Sequence, residues 1–329
     1  MSVASAKAPS AVTAASNRFV SEHLAAATAL GNALVDLVFD PDAFVAATAE
    51  GFRTIGDPLT IDGIRSVTPG LGPVLGVRLP LMDAAQKSFK RGTRETPTSL
   101  LLDAMDRLLR EETREIRWFG MWNLARLLPT DPERTWQLLR RAAREADDWI
   151  SVDTLAHPYG EGILRDAHRW SELEQLVYSK SRWERRLVGS TIATIPHVRG
   201  VAGGRDRPAI EHSLALVGQL IGDDEPDVQK ALSWALRTLA DLDVAATTRF
   251  LEAETRTARL TGDGHRAWVI RDSVSKLPAE TATRLKADLD GIRRRPGAPA
   301  TSRAAAAVAQ FAAAGTIGSA PSAANVLEE

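Results

Sequence analysis

The chain has 329 residues, with 41 Lys and Arg against 42 Asp and Glu for a formal net charge of -1, and no cysteine. With 44% hydrophobic and 25% charged residues it reads as a soluble globular protein, in one large domain or two ordinary ones, with a core of its own. The missing cysteines exclude disulfides, thiol catalysis and thiolate metal or iron–sulfur sites. No apolar run approaches the ~18 residues of a membrane span, and the start lacks the basic-then-apolar order of a signal peptide.

In chain order, residues 1–16 are Ala/Ser-rich and read as a flexible tail. From Asn17 to Ala47 apolar residues recur at three- and four-residue steps, which predicts helix with a break at Asp40-Pro41. Residues 58–80 are rich in Gly and Pro and read as loops with short elements. The segment PGLGPVLGV within them has three glycines but no clear strand and helix around it, so a plain loop is expected rather than a phosphate cradle. The pattern then predicts a succession of helices at 81–90, 98–110, 114–128, 132–145, 149–156, 162–167, 171–178 and 182–197. Others follow at 207–221, 226–241, 244–260, 264–276 and 279–293. Pro132 and Pro226 suit early helical positions, and Asp131 is a good N-cap. Helices of this length joined by short turns, with no alternating strands, predict an all-α solenoid of helical pairs. Residues 296–329 are Ala/Ser/Pro-rich and read as a mostly disordered tail with room for a short Ala helix.

Charge and tryptophan are unevenly spread. Residues 1–77 carry 4 basic and 7 acidic side chains, residues 78–210 carry 23 and 19, and residues 211–329 carry 14 and 16. The middle is mildly basic and mostly arginine, the cation best shaped for phosphate. All eight tryptophans lie between Trp118 and Trp268, most of them expected in helix packing.

The six histidines form no HExxH or comparable cluster, so no metal and no cofactor is expected. No GxSxG, P-loop or dinucleotide fingerprint is present. One segment, ADDWISVDTLAHPYGEGIL, can start a helix at Trp149 capped by Asp147 or Asp148, with Asp153 one turn from Trp149 on the same face. A carboxylate beside an indole can stabilise a developing cation; the alternative is an exposed Asp beside a packed Trp. SRWERRLVGSTIATI places Trp183, Arg185 and Arg186 at a helix start. EPDVQKALSWALRTLA places Lys230, Trp234 and Arg237 on consecutive turns. Such pairs can hold a nucleic-acid backbone, or can be buried rings with snorkelling cations.

At these three segments the sequence resembles the DNA alkylation repair glycosylases of the AlkD type. The matching patterns are W-x-x-V-D-x-x-A from Trp149 through Asp153 to Ala156, and W-x-x-R from Trp183 to Arg186. The third is Q-K-A-x-x-W-x-L-R from Gln229 to Arg237. They occur in order across roughly residues 76–239, with weaker echoes in GVRLPLMDAAQK and EIRWFGMWNLARLL. The resemblance implies a HEAT-like repeat solenoid with a concave DNA-binding surface over residues 76–295, preceded by a helical addition at 17–75. It implies excision of N3- and N7-alkylated purines from double-stranded DNA by gripping the backbone, without a deep base pocket. Asp153 would be the catalytic carboxylate, Arg186 would hold the backbone at the lesion, and Trp149 and Trp234 would flank its sugar and phosphate. Trp183, Arg185, Lys230 and Arg237 would bind DNA around them. No lysine is placed for a Schiff base, so a monofunctional, monomeric, cytoplasmic and nucleoid-associated glycosylase is expected. The other readings are a non-catalytic binder of damaged or branched DNA and a protein-binding solenoid.

Overall fold

The computed structural model describes residues 11–317. Its regular structure is sixteen α-helices and three short 3-10 turns. Among the described residues there is no strand, only one antiparallel bridge between Gly56 and Val77. None of the described helices is long and apolar enough to cross a membrane. The chain divides into two compact units, Met1–Pro158 and Tyr159–Glu329.

The first unit contains α1 (Ala11–Ala33), α2 (Pro41–Thr54), α3 (Pro58–Val67), α4 (Leu79–Gly92), α5 (Thr98–Leu109), α6 (Arg114–Ala125), α7 (Pro132–Glu145) and the first part of α8 (Trp149–Arg165). Three of these helices start with Asp-Pro. Asp40, Asp57 and Asp131 each accept a first-turn N–H, from Ala43, Leu59 and Arg134 at 3.0–3.2 Å. The proline that follows has no N–H to leave unpaired. Helix α1 packs on α4, α2 on α5 and α5 on α6. Their centre is aromatic: Phe89 lies 5.5 Å from Phe44 and 6.1 Å from Phe119, and Phe119 meets Phe52 edge-on at 5.5 Å. All four rings are fully buried. Arg126 lies over Phe89, and burial pushes its guanidinium down to about 10.

The second unit holds the rest of α8, then α9 (Trp170–Leu176), α10 (Arg182–Thr194), α11 (Arg207–Leu220), α12 (Pro226–Leu242), α13 (Val244–Thr261), α14 (Gly264–Ser273), α15 (Ala279–Asp288) and α16 (Arg303–Ile317). Its central packing is α10 against α12, burying Leu187, Val188 and Ile192 against Ala231, Leu232 and Ala235. Gly189 sits at the crossing, where a Cβ would come within 2.8 Å of the Ala231 carbonyl carbon. Gly189→Val is therefore expected to force the two helices apart and destabilise the unit by about 1–3 kcal/mol, the usual cost of overpacking. A urea midpoint equal to wild type would refute this close approach.

The expected helices from 98 to 293 are present, with two differences of substance. The predicted helices at 149–156 and 162–167 are one helix, α8, which runs through Pro158. Proline removes the N–H that would reach the Thr154 carbonyl. The buried residues Val152, Leu155, Ala156, Tyr159 and Ile163 nevertheless continue the same helical stepping across it. The second difference lies at the end of the chain. Residues 303–317, where the tail was read as mostly disordered with room for a short Ala helix, form α16, which packs on α11. The connection before it is also fixed: Thr301 N–H donates to the Gly222 carbonyl at 2.8 Å, and Ser302 and Ala304 are buried. At the start, α1 begins at Ala11 inside the stretch read as a tail. Residues 1–10 and 318–329 lie outside the described residues.

Candidate active site

The candidate carboxylate depends on how α8 begins. Asp148, rather than Asp147, is the cap: its Oδ1 accepts the Ser151 N–H at 2.8 Å and its Oδ2 accepts the Ser151 hydroxyl at 2.6 Å. Trp118 Nε1 in turn donates to Ser151 Oγ at 2.9 Å. Asp148, Ser151 and Trp118 are all buried. Arg114, at the start of α6, reaches both aspartates. Its Nη2 lies 2.7 Å from Asp147 and its Nε 3.8 Å from Asp148. A buried charge needs such a partner. This network fixes the rotation of α8 about its axis, and hence the direction in which Trp149 and Asp153 face.

The adjacent residue, Glu115, holds the glycine-rich segment. Its fully buried carboxylate accepts N–H groups from Leu75 (3.0 Å), Gly76 (2.7 Å) and Val77 (3.3 Å). Arg114 N–H also donates to the Pro73 carbonyl at 2.9 Å. The segment is a loop, as expected, and its backbone amides face a protein carboxylate. At one end of it Val67 O accepts the Trp149 indole N–H at 3.4 Å. At the other, Leu79 lines a cavity of about 460 Å³ together with Trp149, Asp153, Trp122, Gln86 and His157.

Burial pushes the Glu115 carboxyl above its ordinary value, against the opposing pull of those N–H bonds. Glu115→Ala leaves three inward N–H groups without an acceptor and is expected to cost about 2–4 kcal/mol. Glu115→Gln keeps one acceptor oxygen and is expected to cost about 1 kcal/mol. Because the folded value is raised, the stability linked to protonated Glu115 is full below about 4.3 and lost as pH rises through the folded value. Wild type should therefore gain on Glu115→Gln as pH falls through that window. Denaturant titrations across pH check the sign, and a gap that narrows on acidification would contradict it.

In the second unit, Ser181 caps α10 by accepting the Trp183 N–H at 3.3 Å. Trp183 is half-buried, with the Arg182 guanidinium 4.6 Å from its ring centre. Arg186 is buried, and its Nη1 donates to the Asp227 carbonyl at 2.7 Å in the first turn of α12. Arg185 is engaged at all three nitrogens. It grips Asp223 through Nε and Nη2 at 2.7 and 3.2 Å, and donates from Nη1 to the Ser179 and Lys180 carbonyls. Such a fork braces α10 rather than offering a free pair of donors. Arg237 is likewise drawn to Asp272 at 2.8 Å, though partly exposed. Lys230 is exposed and Trp234 half-buried, one turn apart on α12.

The structure thus places Trp149 and Asp153 together on one cavity in the first unit. In the second it places Arg186 on the start of the helix that carries Lys230, Trp234 and Arg237. Sequence reasoning missed Trp122, Gln86 and His157 on the cavity wall. His157 is one turn beyond Asp153, so helical stepping from that residue reaches it, whereas Trp122 and Gln86 come from α6 and α4, whose approach to α8 is set by tertiary packing. Among the described residues no group of three or more His, Asp or Glu could hold a metal ion.

These features belong to a recognisable class. The family model for DNA alkylation repair enzymes matches residues 48–277, more than half of the chain. The protein belongs to that family, and all three resembling segments and the glycine-rich loop fall inside the match. No curated protein matches the chain.

Proposed function

We propose that this DNA alkylation repair enzyme is a monofunctional, monomeric glycosylase that hydrolyses the N-glycosidic bond of N3- or N7-alkylated purines in duplex DNA. The observation that carries the reading is Asp153 beside Trp149 on an open cavity, on a helix whose start is locked by buried hydrogen bonds. An alkylated purine of this kind is cationic. When the C1′–N bond breaks, the electron pair goes to the base, which leaves neutral and needs no strong general acid. The sugar is left with oxocarbenium character, and a carboxylate held near it stabilises that charge. Water then bonds to C1′ and gives up a proton to Asp153. The indole of Trp149 presents an electron-rich face to the same cation.

Arg186 and Trp234 are assigned to the backbone at the lesion, and Trp183 and Lys230 to the neighbouring phosphates and sugars. Arg185 and Arg237 serve by bracing α10 and α12 through Asp223 and Asp272. Among the described residues no lysine lines the Asp153 cavity, which favours simple hydrolysis over Schiff-base chemistry. A substrate in duplex DNA would bring the enzyme to the nucleoid.

The test is release of N7-methylguanine or N3-methyladenine from methylated duplex DNA by the full chain. Release above the spontaneous rate is expected. Tight, salt-sensitive binding with no release would replace the reading with that of a damage-binding protein.

A further inference from the structure

Three consecutive arginines, Arg293, Arg294 and Arg295, follow α15, and all are exposed. They lie beyond residue 277, where the family match ends. A basic run at a surface is usually a solvated, mobile feature. This one is held in place.

The guanidinium of Arg294 lies 4.6 Å from the centre of the Trp268 ring and donates from Nη1 to Gln229 Oε1 at 2.7 Å. Gln229 is itself buried, donating from Nε2 to the Asp223 carbonyl and meeting His265 Nδ1 at 3.1 Å. The backbone is fixed as well. Gly264, the first residue of α14, lies so close that a Cβ there would sit 2.1 Å from the Arg293 carbonyl oxygen. Just after the run, the Ala298 carbonyl meets His265 Nε2 at 3.1 Å.

The cations are close enough to feel one another. Burial, then Arg293, lower the Arg271 guanidinium, Arg294 adds to this, and Asp290 opposes. Asp290 is paired with Arg293 at 3.2 Å across an exposed contact, a weak neutralisation. Asp272 is already taken by Arg237. Arg295 has no side-chain partner among the described residues. Folding therefore gathers like charges on one rigid turn, in a part of the chain, residues 211–329, where acidic side chains outnumber basic ones. Such a cluster is unfavourable alone and becomes favourable against a polyanion.

We propose that the Arg293–Arg295 turn is a docking surface for the phosphate backbone of duplex DNA, beyond the residues that the family model matches. Arg294 anchors the turn, and Arg293 and Arg295 make the phosphate contacts. The inference rests on DNA being the substrate and not on the excision chemistry.

The test is the affinity of the full chain for an undamaged duplex, followed by fluorescence anisotropy over a range of salt. In Arg293→Ala/Arg295→Ala, which leaves the Arg294 anchor in place, affinity at low salt should fall on the order of tenfold. The slope of log K against log salt should shrink by about 1–2, one for each phosphate no longer neutralised. Arg293→Lys/Arg295→Lys should restore most of the slope, and thermal melts should show both variants folded. An unchanged slope in the alanine variant overturns the proposal, as does wild-type protein that binds no duplex or prefers a structured RNA competitor. Excision by wild type is scored separately. A chain that excises nothing yet loses slope in the variant keeps this inference and loses the glycosylase reading; excision with an unchanged slope does the reverse.

Discussion

Asp153→Asn is expected to lower the single-turnover rate of N7-methylguanine release by about 10²–10³-fold, while duplex binding stays within about threefold of wild type. Asparagine keeps the size and the hydrogen-bonding reach of the side chain and removes only the charge. If the carboxylate acts on the developing sugar cation, the loss falls on the chemical step and not on the grip. The surroundings make the comparison clean. Asp153 is half-exposed on the cavity wall, and α8 is fixed at its start by Asp148, Ser151, Trp118 and Arg114. A variant with wild-type turnover would remove Asp153 from the mechanism. Loss of turnover together with a lowered melting temperature would instead mark it as a packing residue.

Glu254→Ala is expected to destabilise the second unit by about 3–5 kcal/mol, lowering its Tm on the order of 10 °C. Arg266, on α14, is almost fully buried, and burial pushes its guanidinium down to about 10. It is ion-paired with Glu254 of α13 and, through Nε at 3.0 Å, with Asp263, which also caps α14 by accepting the Arg266 N–H. Removing Glu254 leaves a buried cation with half its compensation. The triple variant Glu254→Met/Arg266→Met/Asp263→Asn removes all three buried charges while keeping the residue 263 cap, and should recover most of the loss. Calorimetry on the two variants separates these cases. A harmless Glu254→Ala would show that Asp263 alone satisfies the arginine.

Most of the helices were legible in the sequence because their starts are chemically marked. Asp131-Pro132 predicted the first residue of α7, and Pro226 that of α12. Pro158 misled because local propensity argues for a break, while the cost of one missing hydrogen bond is outweighed by an apolar face buried on both sides of it. The C-terminal helix was legible only as room for a short Ala helix in the tail. Alanine carries little hydrophobic signal, and the contacts that fix Thr301 and Ser302 are to Gly222 and Asp263, far away in sequence.

The site was legible only in part, for the same reason. Trp149 and Asp153 share a helix face and could be read from spacing. The roles of Arg114 and Glu115 could not, since their partners at residues 73–77 and 147–148 are set by tertiary packing. The same packing redirected Arg185. Its guanidinium, expected from the sequence to bind DNA, grips Asp223.

The segment that closes over Gly222, Asp263 and His265 has a consequence for how the protein is made. Residues 298–304 leave the ribosome after α10 to α15 have all emerged. Until they arrive, the Gly222 carbonyl lacks its Thr301 N–H and His265 lacks the Ala298 carbonyl. The half of the enzyme that carries Arg186 and Trp234 therefore finishes packing late in translation, even though those residues are made much earlier. A nascent chain interrupted before residue 298 would hold every residue assigned to the lesion without the Ala298 and Thr301 contacts that complete this unit.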